Sequence, residues 1–359
     1  MSKVLMSSDA SNGWSGEKYS SLLVEQTLTM LENEASRYCC TDYLSFLRGT
    51  TVSANPIDEC WRQKSAEWMF KVVDYYDLER DIVNVGMTYL DRMFTETSFH
   101  HRWSQLQCRL IAMSSLKLAI KLYEPRTLNM EDMIKLGIGS DMIFSAGALV
   151  EMEYEILWKL NWNVFPPTAF CFAHQMICML PSEVNRSTKY TIQELTKYMT
   201  ELAICVYSFV KYKASSKAFA CILVAIESVD GEDGVSIEAK KTFLERINHV
   251  FGLLDSDKPI KTLGNALRDL LHHNTDLQGE IEFVVCRMRS QHYPDSLTPL
   301  ASNTLFKSCV LHDYLPKSLL LSYVRQTATT MMQIMNRQSR LASNCFNDEH
   351  AAVFNFNPC

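Results

Sequence analysis

The sequence predicts an all-α protein of two tandem five-helix bundles, with an N-terminal helix before them and a C-terminal extension after them. The 359 residues include only 12 glycines and 10 prolines, about half of the usual share of each. So few turn-forming residues favour long helices over a sandwich, a barrel or a glycine-rich nucleotide-binding fold. The run Phe165-Pro166-Pro167-Thr168 interrupts the helical pattern, because two consecutive prolines cannot continue a helix. We therefore place the boundary between the bundles at this run.

The first bundle is predicted over residues 51–165. Residues 1–50 before it are predicted to be a polar leader followed by a single helix over 21–50. Apolar residues recur at helical spacing in five segments of the bundle. The third segment is apolar nearly all round and contains many small residues, which is typical of the central helix of a bundle. The five predicted helices cover residues 57–76, 79–94, 102–122, 130–136 and 144–162.

The second bundle is predicted over residues 166–275 and partly repeats the first. Its own third segment is again apolar all round and rich in small residues, so we interpret it as a second central helix. The five predicted helices cover residues 168–179, 187–209, 215–228, 236–254 and 260–273. Residues 276–359 lose this periodicity, and we predict a partly disordered extension with one helix after Pro316.

Charge and composition exclude several classes of partner. The net charge is -6, and no run of lysine and arginine resembles the basic stripe of a duplex-binding protein. We therefore expect no direct nucleic acid partner. No apolar run reaches the ~20 residues that span a bilayer, and the first residues form no apolar signal segment, so we expect no membrane partner. The 12 cysteines are then expected to be free thiols in a reducing compartment, the nucleus and cytoplasm.

No motif predicts a catalytic, metal or cofactor site. The glycine-rich phosphate loops, the GxSxG nucleophile elbow and the HExxH zinc motif are all missing from the sequence. Cys171, His174 and Cys178 lack the second half of a zinc site, and we interpret them as core residues of a helix. The sequence therefore predicts a protein that is not an enzyme and that needs no cofactor.

Four charged residues lie on or beside apolar helix faces. Arg62 in the first helix and Asp91 in the second would each be costly to bury alone, but they can be buried as a pair. We predict a structural ion pair between them, with two unrelated solvated charges as the alternative. Lys121 ends the third helix, and Glu153 lies on the apolar stripe of the fifth. Pattern alone favours ordinary roles for these two, a lysine that serves the helix dipole and a solvent-facing glutamate.

Four segments follow one another in a characteristic order and at fitting intervals. They are Trp61–Met69, Tyr89–Phe94, Leu116–Glu124 and Met152–Asn163. Together these segments resemble the cyclin box, and the resemblance covers residues 25–165 well and 166–275 more weakly, as a second cyclin fold. The Trp68-Met69 pair, the run Leu160-Asn161-Trp162-Asn163-Val164 and the helix before residue 50 look most like D-type G1 cyclins. The Leu-x-Cys-x-Glu motif of that group is missing.

The resemblance implies a regulatory subunit that binds and activates a Ser/Thr cyclin-dependent kinase, in cell-cycle control of the G1/S type. It implies that Lys121 and Glu153 hold the C-helix and nearby backbone of the kinase, and that Arg62 and Asp91 match the structural ion pair of the family. Kinase substrates and inhibitors are further expected partners. The alternative is a transcriptional cyclin or a transcription-factor-like module of the same fold, although the acidic charge balance disfavours direct DNA contact.

The sequence departs from the family at the patch that docks Arg-x-Leu peptides. The family pattern on the first helix is Met-Arg-Ala-Ile-Leu followed by Trp. Lys64 and Ser65 replace the two aliphatic residues here, and Cys108-Arg109 replaces Leu-Gln on the third helix. We therefore predict an altered substrate-docking patch, made of Trp61, Lys64, Ser65, Trp68, Cys108 and Arg109.

Overall fold

The computed structural model describes residues 21–48, 57–96, 103–124, 128–129, 132–133, 144–229 and 234–273. Every regular element in these ranges is a helix, which confirms the predicted all-α class. None of the helices in these ranges is long and apolar enough to cross a membrane. The predicted leader over 1–20, most of the predicted helix over 130–136 and the predicted extension over 276–359 lie outside the described residues.

The prediction of one helix over residues 21–50 is wrong, because two helices stand there. They are α1 (Ser21–Arg37) and α2 (Tyr43–Arg48). Asp42 starts α2, since its side chain accepts a hydrogen bond from the backbone N–H of Ser45 at 3.2 Å. The break lets α1 place Met30 in the core of the second bundle while α2 places Tyr43 in the core of the first.

The first bundle contains four described helices, each close to its predicted position. They are α3 (Glu59–Tyr75), α4 (Asp81–Glu96), α5 (Gln105–Tyr123) and α6 (Ala146–Lys159). Side chains cap three of the N-termini: Asp58 caps α3, Ser145 caps α6, and Ser104 forms a capping box with Gln107 at α5. Helix α5 packs between α4 and α6, as expected of a central helix.

The second bundle contains five helices around a central one. They are α7 (Ala169–Ile177), α8 (Arg186–Cys205), α9 (Ala214–Ser228), α10 (Ile237–Phe251) and α11 (Lys258–His273). The central helix α9 packs against α7, α8 and α11, and its small residues Ala218, Ala220 and Ala225 are fully buried.

Two predictions in the second bundle need correction at helix ends. Helix α8 ends at Cys205 and a 3₁₀ turn follows over Tyr207–Phe209, where the sequence predicted a helix to residue 209. The turn directs the Tyr207 hydroxyl towards the start of α2. There the hydroxyl donates a hydrogen bond to Asp42 at 2.7 Å. Cys178 lies beyond the last residue of α7 and is exposed, so it is not the predicted core thiol, whereas Cys171 is buried.

Buried hydrogen bonds join the two bundles at the linker. The Thr168 hydroxyl accepts from the backbone N–H of Cys171 at 3.1 Å, which caps α7. The same hydroxyl donates to the carboxylate of Asp81 in α4 at 2.7 Å. Burial raises the pKa of Asp81 to about 6, although the hydrogen bonds from Thr168 and Asn84 favour its charged form. The junction is therefore a buried polar contact that fixes how the bundles sit together.

Candidate functional site

Helices α5 and α6 bring one carboxylate and two ammonium groups together. The Lys117 ammonium donates to Oε1 of Glu153, and the Lys121 ammonium donates to Oε2 at 3.3 Å. Lys117 and Lys121 are four residues apart, so they occupy the same face of α5. The structure thus brings the predicted residues Lys121 and Glu153 together and adds Lys117, which sequence reasoning missed.

The three side chains differ in depth. The side chains of Glu153 and Lys117 are 6% and 9% exposed, and that of Lys121 is 15% exposed. Burial lowers the pKa of Lys117, and the Glu153 carboxylate opposes part of that shift. The site thus combines two ammonium groups with one carboxylate. We call Lys117, Lys121 and Glu153 the lysine–glutamate cluster.

Local packing explains why Glu153 points at α5. Leu149 and Ile156 lie four residues before and three residues after Glu153, on the same side of α6, and both are fully buried. Small residues on α5 let the two helices approach closely, and the Ser114 hydroxyl donates to the Leu149 carbonyl at 3.4 Å. Because Glu153 lies on the apolar stripe of α6, its side chain faces α5 together with that stripe.

Two large aromatic side chains are exposed on α6, the helix that carries Glu153. Tyr154 and Trp158 are 51% and 58% exposed, and their ring centroids are 6.2 Å apart in an edge-to-face contact. Exposed aromatic residues of this size are enriched where one protein binds another. Nothing in the sequence analysis singled these two residues out as a pair.

Arg62 and Asp91 form a buried, two-pronged ion pair between α3 and α4. Arg62 Nε donates to Oδ1 and Nη2 to Oδ2 of Asp91, each at 2.8 Å. Arg62 Nη1 donates to the Ile204 carbonyl of α8 at 2.6 Å, and the Tyr43 hydroxyl donates to Asp91 at 2.9 Å. Burial would lower the pKa of Arg62, but Asp91 outweighs it and the pKa lies above its ordinary value. With both residues buried, the pair acts inside the molecule.

The residues of the predicted substrate-docking patch are mostly inside the first bundle. Trp61, Ser65, Trp68, Cys108 and Arg109 are buried, and Lys64 is half-buried. The Trp61 ring packs edge-to-face on Phe94 with centroids 6.0 Å apart, and the Ser65 hydroxyl donates to the Trp61 carbonyl at 2.8 Å. In this chain these positions contribute to the core, and Lys64 is the most exposed of the six.

The described residues contain no group of three or more His, Cys, Asp or Glu side chains that could hold a metal ion. The described residues form two joined helical bundles, with the lysine–glutamate cluster between α5 and α6 and two exposed aromatic side chains on α6. The sequence matches two family descriptions, "Cyclin, N-terminal domain" over residues 28–165 and "Cyclin, C-terminal domain" over residues 167–278. The chain belongs to the cyclin family.

Several known proteins are similar to this chain. Cyclin-A3-2 of Oryza sativa subsp. japonica is 24% identical over 220 residues, which are 61% of this chain and 53% of that protein. Cyclin-B2-1 of the same plant is 24% identical over 194 residues, 54% of this chain and 41% of that protein. The chain spans about half the length of these relatives. The X-ray structure of a viral cyclin from herpesvirus saimiri has a TM-score of 0.48 and 14% identity, and the match covers 67% of this chain and 96% of the viral one.

Proposed function

We propose that this chain binds and activates a Ser/Thr cyclin-dependent kinase as its regulatory subunit. The observation that carries the proposal is the contact between Lys121 and Glu153 at 3.3 Å on the α5–α6 face of the N-terminal cyclin domain. The cyclin-box resemblance assigns kinase binding to these two positions. The exposed Tyr154 and Trp158 on the same helix as Glu153 offer the apolar area that a stable protein interface needs.

Activation follows from binding one state of the kinase better than the other. A kinase is inactive while its C-helix is swung out, because the lysine–glutamate pair that orders the ATP phosphates is then unmade. A partner that binds only the helix-in state shifts the population towards it. Moving a kinase from 1% to 99% active takes about 5.5 kcal/mol of differential affinity. In this proposal the chain supplies binding energy and no group that reacts, so it is not itself an enzyme.

The residues on the face have distinct roles in the proposal. The Lys121 ammonium donates to backbone carbonyls or a carboxylate near the kinase C-helix, and the Glu153 carboxylate accepts from backbone N–H groups there. The aromatic rings of Tyr154 and Trp158 are buried by the kinase. Central charged hydrogen bonds then fix the register of the interface, while buried apolar area supplies most of the affinity.

The cell-cycle subtype and the location are part of the proposal. The D-type, G1/S assignment remains a prediction from residues 68–69, residues 160–164 and the helix before residue 50, and the relatives reported above have A- and B-type names. We propose that the chain is located in the nucleus and cytoplasm, where it would encounter a cyclin-dependent kinase. Because most residues of the substrate-docking patch are buried, we propose that Arg-x-Leu peptides of substrates and inhibitors bind this chain weakly at that patch.

The test is to purify the chain with each member of a panel of cyclin-dependent kinases and to assay phosphorylation of a Ser/Thr peptide. Lys121→Ala should weaken kinase binding about 10- to 100-fold and lower activity in parallel. Lys121 is preferred to Glu153 for this test, because Glu153→Ala would leave Lys117 buried without its carboxylate. The exposed Lys71 of α3 provides the matched control, and Lys71→Ala should bind as the unmodified chain does.

Two results would contradict the proposal in different ways. If Lys121→Ala and the unmodified chain bind the kinase with equal strength, the lysine–glutamate cluster is not the kinase-binding site. Salt-dependent binding to duplex DNA at submicromolar concentration, with no kinase bound, would favour the transcription-factor-like alternative.

A further inference from the structure

We infer that Lys117 is a positioning residue that keeps Glu153 neutralised when Lys121 leaves it for the kinase. The inference rests on the proposed function, since it concerns the same face. Its starting point is that one buried carboxylate has two lysine partners, one on each oxygen. A single lysine would be enough to balance the charge of Glu153.

The two lysines are not equivalent, because they lie at different depths. Lys117 sits near the middle of α5, and its side chain is 9% exposed. Lys121 is one turn closer to the C-terminal end of α5, and its side chain is 15% exposed. Lys121 is therefore the lysine that a partner on the surface can reach, and Lys117 is the one that stays behind.

The second lysine removes a penalty that a simple pair would impose on binding. In a simple Lys–Glu pair, an acceptor on the partner that takes the lysine leaves a buried carboxylate without a countercharge, which is strongly unfavourable. In the lysine–glutamate cluster, Lys117 still neutralises Glu153 after Lys121 has turned away. The Lys121 ammonium is then the group that donates to a carbonyl or carboxylate of the kinase.

The same arrangement selects against some partners. A Lys121 ammonium that donates to the kinase favours a partner segment that presents acceptor groups and repels one that presents lysine or arginine. In this arrangement Lys117 stays paired with Glu153, so its effect on kinase choice passes through Glu153 and Lys121.

A double-mutant cycle tests the inference. The dissociation constant for the kinase is measured for the unmodified full chain, Lys117→Met, Lys121→Ala and the double variant. Methionine keeps the length of the lysine stem and removes its charge. We expect Lys117→Met to weaken binding about tenfold, because Lys121 is then held by Glu153. In that background, Lys121→Ala should cost about threefold or less, well below its cost in the unmodified chain.

A purely structural role for Lys117 predicts a different result. Lys117→Met would then lower the free energy of unfolding in urea, yet the cost of Lys121→Ala for binding would be the same in both backgrounds. Additive costs within about twofold overturn the inference. If Lys117→Met does not fold, Lys117→Gln is used in the same cycle, because glutamine can still donate to Glu153 but carries no charge.

Failure of the inference and failure of the proposed function look different in this experiment. If the unmodified chain binds no kinase of the panel, the proposed function is overturned, and the inference with it. If the unmodified chain binds a kinase and the costs are additive, the proposed function stands and only the role of Lys117 is wrong.

Discussion

The two bundles share a helical architecture but bury different kinds of polar side chain. Among the described residues, helices α3–α6 of the first bundle bury both acidic and basic groups, namely Arg62, Asp81, Asp91, Arg92, Arg109, Lys117 and Glu153. Described residues of α7–α11 that are buried and polar are all uncharged, namely Gln175, Thr188, Thr191, Thr196, Thr200, Ser215 and Ser216. The first bundle thus buries charged side chains fully, whereas the charged side chains of α7–α11 that the structure describes keep at least partial exposure.

The difference has a physical consequence for what each bundle can do. The free energy lost when two charges leave water is only partly offset by their attraction in a buried ion pair. The main effect of such a pair is therefore to fix the geometry of the groups that it joins. The Arg62–Asp91 pair fixes α3 against α4 and α8, and the lysine–glutamate cluster fixes α6 against α5. In the second bundle, an ion pair such as Arg268–Glu227 lies on the surface with both side chains about two-fifths exposed, at 38% and 41%. The first bundle therefore holds the fully buried charges, and the described part of the second bundle packs around uncharged side chains.

The largest predicted effect breaks the Arg62–Asp91 pair. Asp91→Asn leaves the Arg62 guanidinium buried at 3% exposure with no carboxylate, and it turns one accepting oxygen into a donor that faces other donors. We expect the free energy of unfolding to fall by about 3–5 kcal/mol. Urea unfolding followed by circular dichroism measures the change.

The matched control removes a charge from the second bundle's surface pair. Glu227→Gln removes the carboxylate whose Oε2 lies 2.8 Å from Arg268 Nη2. This substitution should change the free energy of unfolding by less than about 1 kcal/mol. Equal costs for Asp91→Asn and Glu227→Gln would mean that the two bundles do not use charge differently.

Sequence patterns predicted the parts of this molecule that depend on local periodicity. Helical spacing of apolar residues identified the described helices of both bundles to within a few residues, and isolated charges on apolar stripes identified the partners Arg62 and Asp91. The break between α1 and α2 was missed, although Asp42 is a local N-cap residue there. Asp42 also accepts a hydrogen bond from Tyr207, which is 165 residues away. A local pattern has no access to such a contact.

Lys117 shows the same limit at the candidate site. A lysine on an otherwise apolar helix can extend its stem along the surface and keep its ammonium in water, so its burial does not follow from its position in the pattern. The four-residue spacing from Lys121 was a signal that both lysines share a face. Only the packing of α6, which brings Glu153 from 36 residues away, shows that both contact one carboxylate.

An intermediate effect is predicted at the junction, where the second bundle does bring a carboxylate close to the first. Glu201 of α8 lies 3.3 Å from Arg80, and its side chain is 13% exposed. Burial raises the pKa of Glu201 from 4.5 to about 7, and Arg80 only partly opposes this. Between about pH 4.5 and pH 7 the folded chain therefore holds a proton that the unfolded chain releases, and this contribution to stability is lost as the pH rises.

Glu201→Gln removes this titration. The variant should be more stable than the unmodified chain at pH 8, by on the order of 1–3 kcal/mol, and the difference should shrink towards pH 5. Urea unfolding at pH 5, 6, 7 and 8 measures both. The exposed Glu245 of α10 is the control, and Glu245→Gln should keep the pH slope of the unmodified chain. An unchanged slope in Glu201→Gln would place the titrating group elsewhere.

The smallest effect is expected from the uncharged polar groups that the second bundle buries. Thr196 and Thr200 are one turn apart on α8 and are 0% and 3% exposed. The Thr200 hydroxyl donates to the Lys197 carbonyl at 2.7 Å, whereas no described residue forms a hydrogen bond with the Thr196 hydroxyl. Valine has nearly the same shape as threonine, so Thr196→Val should stabilise the fold by about 1 kcal/mol and Thr200→Val should destabilise it by about the same amount. Opposite signs in urea unfolding would show that hydrogen bonding, and not charge, sets the cost of buried polar groups in this bundle, and a loss of stability in both variants would contradict that view.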